Sequence, residues 1–338
     1  MPQVNVAIAG ATGAVGEEFL RLLALRNYPI KSLRLLASAR SAGKKLKYNG
    51  NEYTVQELKA DSFKDIDHAF FSAGGSISKE YAPHAAKAGA IIIDNTSAFR
   101  YEKEIPLVIP EINPQDAFEY GERRIIANPN CTTIVALLPT YPLHQQFGLK
   151  RAVMSSYQAI SGAGAQAMEE LQQQMRDWAA GKPLAVKHQP KQIAFNVIPR
   201  IDAFQDNGYT KEEMKFLWEG AKIMHHPALR ATATCVRVPV LRSHAVSLNL
   251  EFERPVTPEA AREILRKAPG VIVQDDPKSE LYPVPLERAM QDEIAVGRIR
   301  QDISVDGNRG LCLWAVGDQI MKGAALNAIQ IGELLLKR

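Results

Sequence analysis

The feature that most constrains the fold is a short β-type run, Val4–Ala9, followed at once by Gly10-Ala11-Thr12-Gly13-Ala14-Val15-Gly16. A stretch with Val15, Phe19, Leu22 and Leu23 at helical spacing comes next. A strand, a glycine turn and a helix in that order leave free backbone N–H groups at a helix N-terminus, where a dinucleotide pyrophosphate can sit against them. The spacing is GxxGxxG rather than the standard GxGxxG, which taken alone also fits a tight strand-to-helix turn. The surroundings favour the nucleotide reading. Apolar runs at residues 33–37, 69–72 and 90–94, with a helical stretch at 78–88, alternate strand with helix and predict a parallel sheet covered on both faces.

In NAD-binding versions of this arrangement the second strand usually ends in an acid that accepts from the ribose 2′-OH. Here residues 33–37 run into Ser38-Ala39-Arg40-Ser41. A guanidinium with hydroxyls suits a 2′-phosphate, so NADP is expected over NAD. The expected cofactor contacts of this region are Gly10, Thr12, Gly13, Ala14, Val15, Gly16, Arg40 and Ser41.

From about residue 151 the pattern changes. Longer strands (152–159, 246–252, 293–300, 310–315) are interleaved with fewer, longer helices (163–180, 258–267), and residues 323–337 read as a closing helix. The chain of 338 residues is long enough for two cores. The expected fold class is α/β: a Rossmann-like dinucleotide-binding domain, plus an α+β substrate and dimerisation domain with a mostly antiparallel sheet.

Composition excludes several function classes. The net charge of +4 is too small for a nucleic-acid footprint. Pure apolar runs such as residues 134–138 are about five residues long, against the roughly 20 of a membrane span. Three cysteines, none in a CxxC, exclude a disulfide framework and a Cys-rich zinc site, and a reducing, cytosolic setting is expected. His225 and His226 are adjacent and share no face, so no metal is assigned.

One cysteine stands apart. Asn128-Pro129-Asn130-Cys131-Thr132-Thr133 places Cys131 among polar turn residues at the start of an apolar helical stretch. A helix N-terminus lowers a thiol pKa and offers N–H donors to an oxyanion, as a nucleophile requires. Cys235 and Cys312 lie in apolar strand-like runs and read as core thiols.

Asn130-Cys131-Thr132-Thr133, the run Ser156-Tyr157-Gln158-Ala159-Ile160-Ser161-Gly162-Ala163-Gly164 and the run Arg237-Val238-Pro239-Val240-Leu241-Arg242-Ser243-His244 resemble bacterial aspartate-β-semialdehyde dehydrogenases. The glycine loop, Asn95-Thr96-Ser97-Ala98-Phe99-Arg100 and Lys322-Gly323-Ala324-Ala325-Leu326-Asn327 extend the resemblance over essentially the whole chain. It implies NADPH-dependent reductive dephosphorylation of L-4-aspartyl phosphate to the semialdehyde and phosphate, serving lysine, methionine and threonine synthesis. Cys131 would form the thioacyl intermediate. His244 would be the acid/base residue, and Gln158 would orient the reacting group. Arg237 would hold the substrate α-carboxylate and Glu212 its ammonium, with Arg100 and Lys215 on the phosphate. Ser161, Gly162 and Gln319 would lie near the nicotinamide, Gln319 standing where relatives commonly carry Asn.

The resemblance also implies a homodimer and an inserted catalytic and dimerisation domain, residues 128–317, within a nucleotide domain made of 1–127 and 318–338. N-acetylglutamyl-phosphate reductase, which runs the same chemistry on another acyl phosphate, is the competing enzymatic reading. A non-catalytic binding paralogue is the other, though such a chain would be expected to lose Cys131, Gln158, Arg237 or His244.

Overall fold

A computed structural model describes residues 2–337 and falls into two compact units, one running up to Asn130 and resuming at Ala324, the other spanning Cys131–Gly323. The first unit opens with β1 (Val4–Ala9), α1 (Ala14–Leu25) and β2 (Ile30–Ala37). A small hairpin, β3 (Lys45–Tyr48) and β4 (Asn51–Thr54), leads to β5 (Gln56–Glu57) and β6 (His68–Phe71). Then come α2 (Gly75–Lys87), β7 (Ile91–Asp94) and β8 (Ile125–Ala127).

Its main sheet has the order β5-β2-β1-β6-β7-β8, and every pairing is parallel. The alternation of apolar strand and amphipathic helix predicts this, because parallel strands are buried on both faces. Val6, Ala7, Ile8 and Ala9 of β1 are fully buried, as are Phe19, Leu22 and Leu23 of α1. Strand order reverses at β1, which has β2 on one side and β6 on the other. A crevice therefore opens beyond the carboxyl end of β1, the usual ligand position in such sheets.

A closing helix, Leu326–Leu335, completes this unit. A side chain at Gly332 would put its Cβ 2.4 Å from the Tyr28 hydroxyl, so the helix approaches as only glycine permits. Arg26 forks onto the Glu333 carboxylate at 2.6 and 2.7 Å, and Asn327 Nδ2 donates to Val108 O and Asn128 Oδ1. The expected helical stretch from residue 323 begins instead as a π-type turn, Met321–Ala325.

The second unit contains α3 (Cys131–Phe147), β9 (Leu149–Gln158), α4 (Ala165–Ala179), α5 (Lys211–Ile223), β10 (Ala231–Arg237) and β11 (His244–Phe252). It continues with α6 (Pro258–Lys267), β12 (Val271–Val273), β13 (Ile294–Gln301) and β14 (Gly310–Gly317). The sheet order is β10-β9-β11-β14-β13-β12. Its three central pairings are antiparallel, as expected from the sequence, while the outer pairs β10–β9 and β12–β13 are parallel.

Helix α3 lies against both α5 and α6, and the three helices pack on the sheet. Residues pointing the other way alternate into partial exposure: Val153, Ser155 and Tyr157 on β9, Ser247 and Asn249 on β11, Cys312 and Trp314 on β14. Helix α3 is buried continuously from Thr132 to Thr140 and runs on through Pro139 and Pro142 to Phe147. Burial on most sides of the helix offsets the roughly 3 kcal/mol that an interior proline costs.

Candidate active site

In the first unit, Gly10 and Gly16 are demanded by backbone, not by ligand. Gly10 has φ +91°, and a Cβ there would lie 2.4 Å from Ser72 O. A Cβ on Gly16 would lie 2.3 Å from Gly10 O and 2.6 Å from the Ala11 carbonyl. Gly13 is the N-cap of α1 and supplies no side-chain cap, so the N–H groups at the start of α1 have no acceptor within the helix. A cavity of about 420 Å³ opens over this turn, lined by Gly10, Thr12 and Gly13 together with Ser38, Ser72 and Tyr81.

Of the second-strand residues expected to read a 2′-phosphate, Arg40 is exposed in the short helical turn Ala39–Ser41, and Ser41 is buried beneath it. Neither lines that cavity, whereas Ser38 and Ala39 do. Glu57, which pairs with Ala37 in the sheet, also lines it and carries its charge against Lys59 at 3.0 Å. Sequence reading missed this acid because it comes from β5, a two-residue strand with no pattern of its own. Arg100, also in this unit, is buried and donates through Nη2 to Asn95 O at 2.8 Å.

In the second unit, Cys131 is the first residue of α3 and is partly exposed. Gly323 lies against it: a Cβ at 323 would be 2.8 Å from Cys131 Cβ. The sequence gives no sign of this approach, because nearly two hundred positions separate the pair. Cys131 also lies within electrostatic reach of the Arg237 guanidinium. Arg237 is buried and donates through Nη1 to Ala159 O at 2.8 Å.

A chain of buried hydrogen bonds runs beside them. Ser156 Oγ donates to Gln158 Oε1 at 2.8 Å, Gln158 Nε2 donates to Glu212 Oε1 at 3.0 Å, and Lys215 Nζ meets Glu212 Oε2 at 2.7 Å. Lys215 also reaches Asp202 at 3.3 Å. With side chains only 12% and 7% exposed, the Lys215–Glu212 pair is a held ion pair rather than a solvated one. Local sequence explains its position: Thr210 and Glu213 form a capping box that starts α5, leaving Glu212 and Lys215 one turn apart on one face.

Gln319 is buried as well. Its Oε1 accepts Ser243 N–H at 2.8 Å and its Nε2 donates to Ser161 Oγ. It thus ties the residue before His244 to the residue before Gly162, and one amide N–H stays in reserve for a ligand.

His244 is fully buried, and its Nδ1 accepts Ala159 N–H at 3.0 Å. Burial, with the Arg237 charge adding to it, holds its pKa down to about 3. Burial does the same to His68 in the first unit, whose pKa is held down to about 4 while its Nδ1 meets the Tyr28 hydroxyl at 2.7 Å. An unfolded histidine titrates near 6.5, so below that pH the unfolded chain binds protons that the folded chain refuses. Stability is then expected to fall with falling pH from 6.5 toward 4, by up to ~1.4 kcal/mol per pH unit for each histidine. Urea midpoints at pH 7, 6 and 5 should decline, with a shallower slope in His68→Gln; identical slopes would contradict the assignment of His68.

Among the described residues, no group of three or more His, Cys, Asp or Glu could hold a metal ion. None of the helices described is long and apolar enough to cross a membrane.

Two family models match the chain: the semialdehyde dehydrogenase NAD binding domain over residues 5–120 and the semialdehyde dehydrogenase dimerisation domain over 141–322. The aspartate-semialdehyde dehydrogenase of Aquifex aeolicus is 52% identical over 336 residues, covering 98% of both chains. That of Bacillus subtilis is 47% identical over 342 residues, covering 99% of this chain and 98% of its own. Among solved structures, aspartate semialdehyde dehydrogenase II of Vibrio cholerae complexed with ASA superposes with a TM-score of 0.96 at 44% identity, covering 100% of this chain and 99% of that one. The Candida albicans enzyme with NADP superposes with a TM-score of 0.76 at 25% identity, covering 99% and 98%. With both family models matched in order and about half the residues shared along the full length, the chain belongs to the aspartate-semialdehyde dehydrogenase family.

Proposed function

We propose that this chain reduces L-4-aspartyl phosphate to L-aspartate 4-semialdehyde and phosphate with NADPH, through a thioacyl intermediate on Cys131, in lysine, methionine and threonine biosynthesis. The observation that carries this reading is a cysteine at the N-terminus of a buried helix, within electrostatic reach of Arg237, in a chain of this family.

The helix N-terminus and the guanidinium both favour the thiolate, the form that attacks an acyl carbon. Arg237 presents a rigid fork to the substrate α-carboxylate. Glu212, which accepts from Gln158 and pairs with Lys215, receives the substrate ammonium, while Lys215 and Arg100 serve the phosphate. Gln158, held at both ends of its amide, orients the reacting group.

The glycine cradle fits a dinucleotide. Gly10, Thr12, Gly13, Ala14, Val15 and Gly16 would carry the pyrophosphate against the start of α1, at a cavity on the carboxyl edge of the sheet. Arg40 and Ser41 would meet the 2′-phosphate, and Ser161, Gly162 and Gln319 the nicotinamide end. Bound there, NADPH supplies the hydride.

A homodimer through the open face of the second unit's sheet completes the reading. Tyr157 is 41% exposed on that face and its ring centroid lies 5.2 Å from that of Trp314, an apolar pair suited to a second copy. Tyr157→Asp should shift the mass measured by light scattering from dimer to monomer; an unchanged mass would move the interface elsewhere.

Phosphate-dependent oxidation of aspartate semialdehyde, followed as NADPH formation, tests the activity. Absence of turnover, or a preference for the acetylated glutamyl substrate, would overturn the reading.

A further inference from the structure

We propose that Asp318 and Arg242 form a positioning pair for the reaction: the Asp318 carboxylate holds both the chain that leads into His244 and the turn that seats Gly323 against Cys131. The claim rests on the reading above, with Cys131 as nucleophile and His244 as acid/base residue. The geometry behind it needs no substrate.

The ladder between β11 and β14 ends at the pair His244–Gly317. Beyond that pair, side chains carry the connection. Arg242 Nε donates to Asp318 Oδ2 at 2.5 Å, and Ser243 N–H donates to Gln319 Oε1 at 2.8 Å. Two successive residues of one chain are thus fastened to two successive residues of the other. The residue between Arg242 and His244 shows why a fastening is needed. Ser243 is fully buried and has φ +75°, a left-handed conformation that is strained for any residue with a side chain. Strain of this kind persists only where the surroundings over-determine it. The direction in which β11 sets out, and with it the aim of the His244 side chain, therefore depends on the clamp.

The same carboxylate reaches toward the nucleophile. Its Oδ1 accepts Ile320 N–H at 2.9 Å and Met321 N–H at 3.1 Å, and the Asp318 carbonyl accepts Gly323 N–H at 3.0 Å. These bonds start the π-type turn Met321–Ala325, an irregularity that recurs at functional sites. The turn delivers Gly323 to a point where a Cβ would lie 2.8 Å from Cys131 Cβ and 3.4 Å from Gln319 Cβ. At such a distance, a small movement of the turn is felt at the cysteine. Oδ2 also takes Met290 N–H at 2.7 Å, from a residue with φ +63°. Asp318 is fully buried, and these four donors, one of them a guanidinium, offset the loss of its hydration. Its oxygens are engaged by protein groups, so it acts on the reaction through what it holds.

The pair is tested in the full-length enzyme. Arg242→Met removes the guanidinium and leaves the Asp318 carboxylate its three backbone donors, so the fold is retained. Its kcat for phosphate-dependent oxidation of aspartate semialdehyde, per Cys131 thiol counted by iodoacetamide labelling, should fall about 10–100-fold, the scale set by a displacement of about 1 Å at a reacting group. KM for the semialdehyde should stay within about threefold, since Arg237 and Glu212 are unaltered. Arg242→Lys, whose ammonium can still meet the carboxylate, should recover at least about fivefold of that loss. Asp318→Asn should lose at least as much as Arg242→Met, and the double variant no more than Asp318→Asn, because coupled residues fail as a unit. In ¹⁵N-histidine-labelled protein, with His244→Gln providing the assignment, the His244 ring resonances should move in Arg242→Met while those of the other histidines stay in place.

A pair that serves folding alone would lower Tm and leave kcat per thiol unchanged, and that result overturns the proposal. Losses that multiply in the double variant, or His244 resonances that do not move, overturn it as well. Wild-type enzyme that forms no NADPH from aspartate semialdehyde sinks the proposed reaction, and the resonances then decide the positioning claim on their own.

Discussion

Cys131→Ala is expected to reduce phosphate-dependent oxidation of aspartate semialdehyde by at least about 10⁴-fold, the scale seen when a covalent nucleophile is deleted. NADPH affinity should change less than about threefold, because the glycine cradle belongs to the other unit. Neither remaining thiol can substitute. Cys235 is fully buried, and burial with the nearby Glu212 charge pushes its pKa up to about 12. Cys312 lies on the open face of the sheet, where burial and Asp302 raise its pKa too. Activity within tenfold of wild type would remove Cys131 from the reaction, and stoichiometric alkylation by iodoacetamide should report a single fast thiol that vanishes in the variant.

Gly16→Ala should be nearly as damaging, for a different reason. The added Cβ would sit 2.3 Å from Gly10 O and 2.6 Å from the Ala11 carbonyl, atoms of the turn itself that cannot rotate aside. Either the turn opens or α1 backs away from it, and both outcomes disperse the N–H groups that a pyrophosphate needs. A fall in NADPH affinity of about 100-fold is expected, together with a Tm lower by several degrees. Titration of NADPH fluorescence measures the first and calorimetry the second. Retained affinity would mean that the cofactor does not use this turn.

The strands and helices with strong apolar periodicity were legible from the chain alone. Val4–Ala9 and the helix after it carry their burial in their spacing. The hairpin β3–β4 was passed over although Asn49-Gly50 is its signal: both residues have positive φ, the geometry of a two-residue type I′ turn. Its strands are short and polar, so periodicity stays silent there. Parallel pairing at the outer edges of the second sheet also escaped notice, since partner choice for β10 and β12 depends on contacts far along the chain.

At the site, Cys131 could be found because polar turn residues precede an apolar helix. What could not be read was which atoms were already spoken for. That His244 Nδ1 is taken by a backbone N–H, or that both ends of the Gln319 amide are engaged, depends on coordinates, and each changes what the side chain can do.

The closing helix has a consequence for biosynthesis. Residues 131–323 are contiguous and can collapse as soon as they leave the ribosome, whereas the first unit must wait for its final segment, which pairs Arg26 with Glu333 across 307 positions. Until then Tyr28 and the face of α1 that the helix will cover are open to other chains. The nucleotide-binding half therefore matures after the second unit, although most of it is translated before that unit. Nonsense mutations or slow translation within the codons for Leu326–Leu335 should yield chains with a formed second unit and an aggregation-prone, unfinished first one.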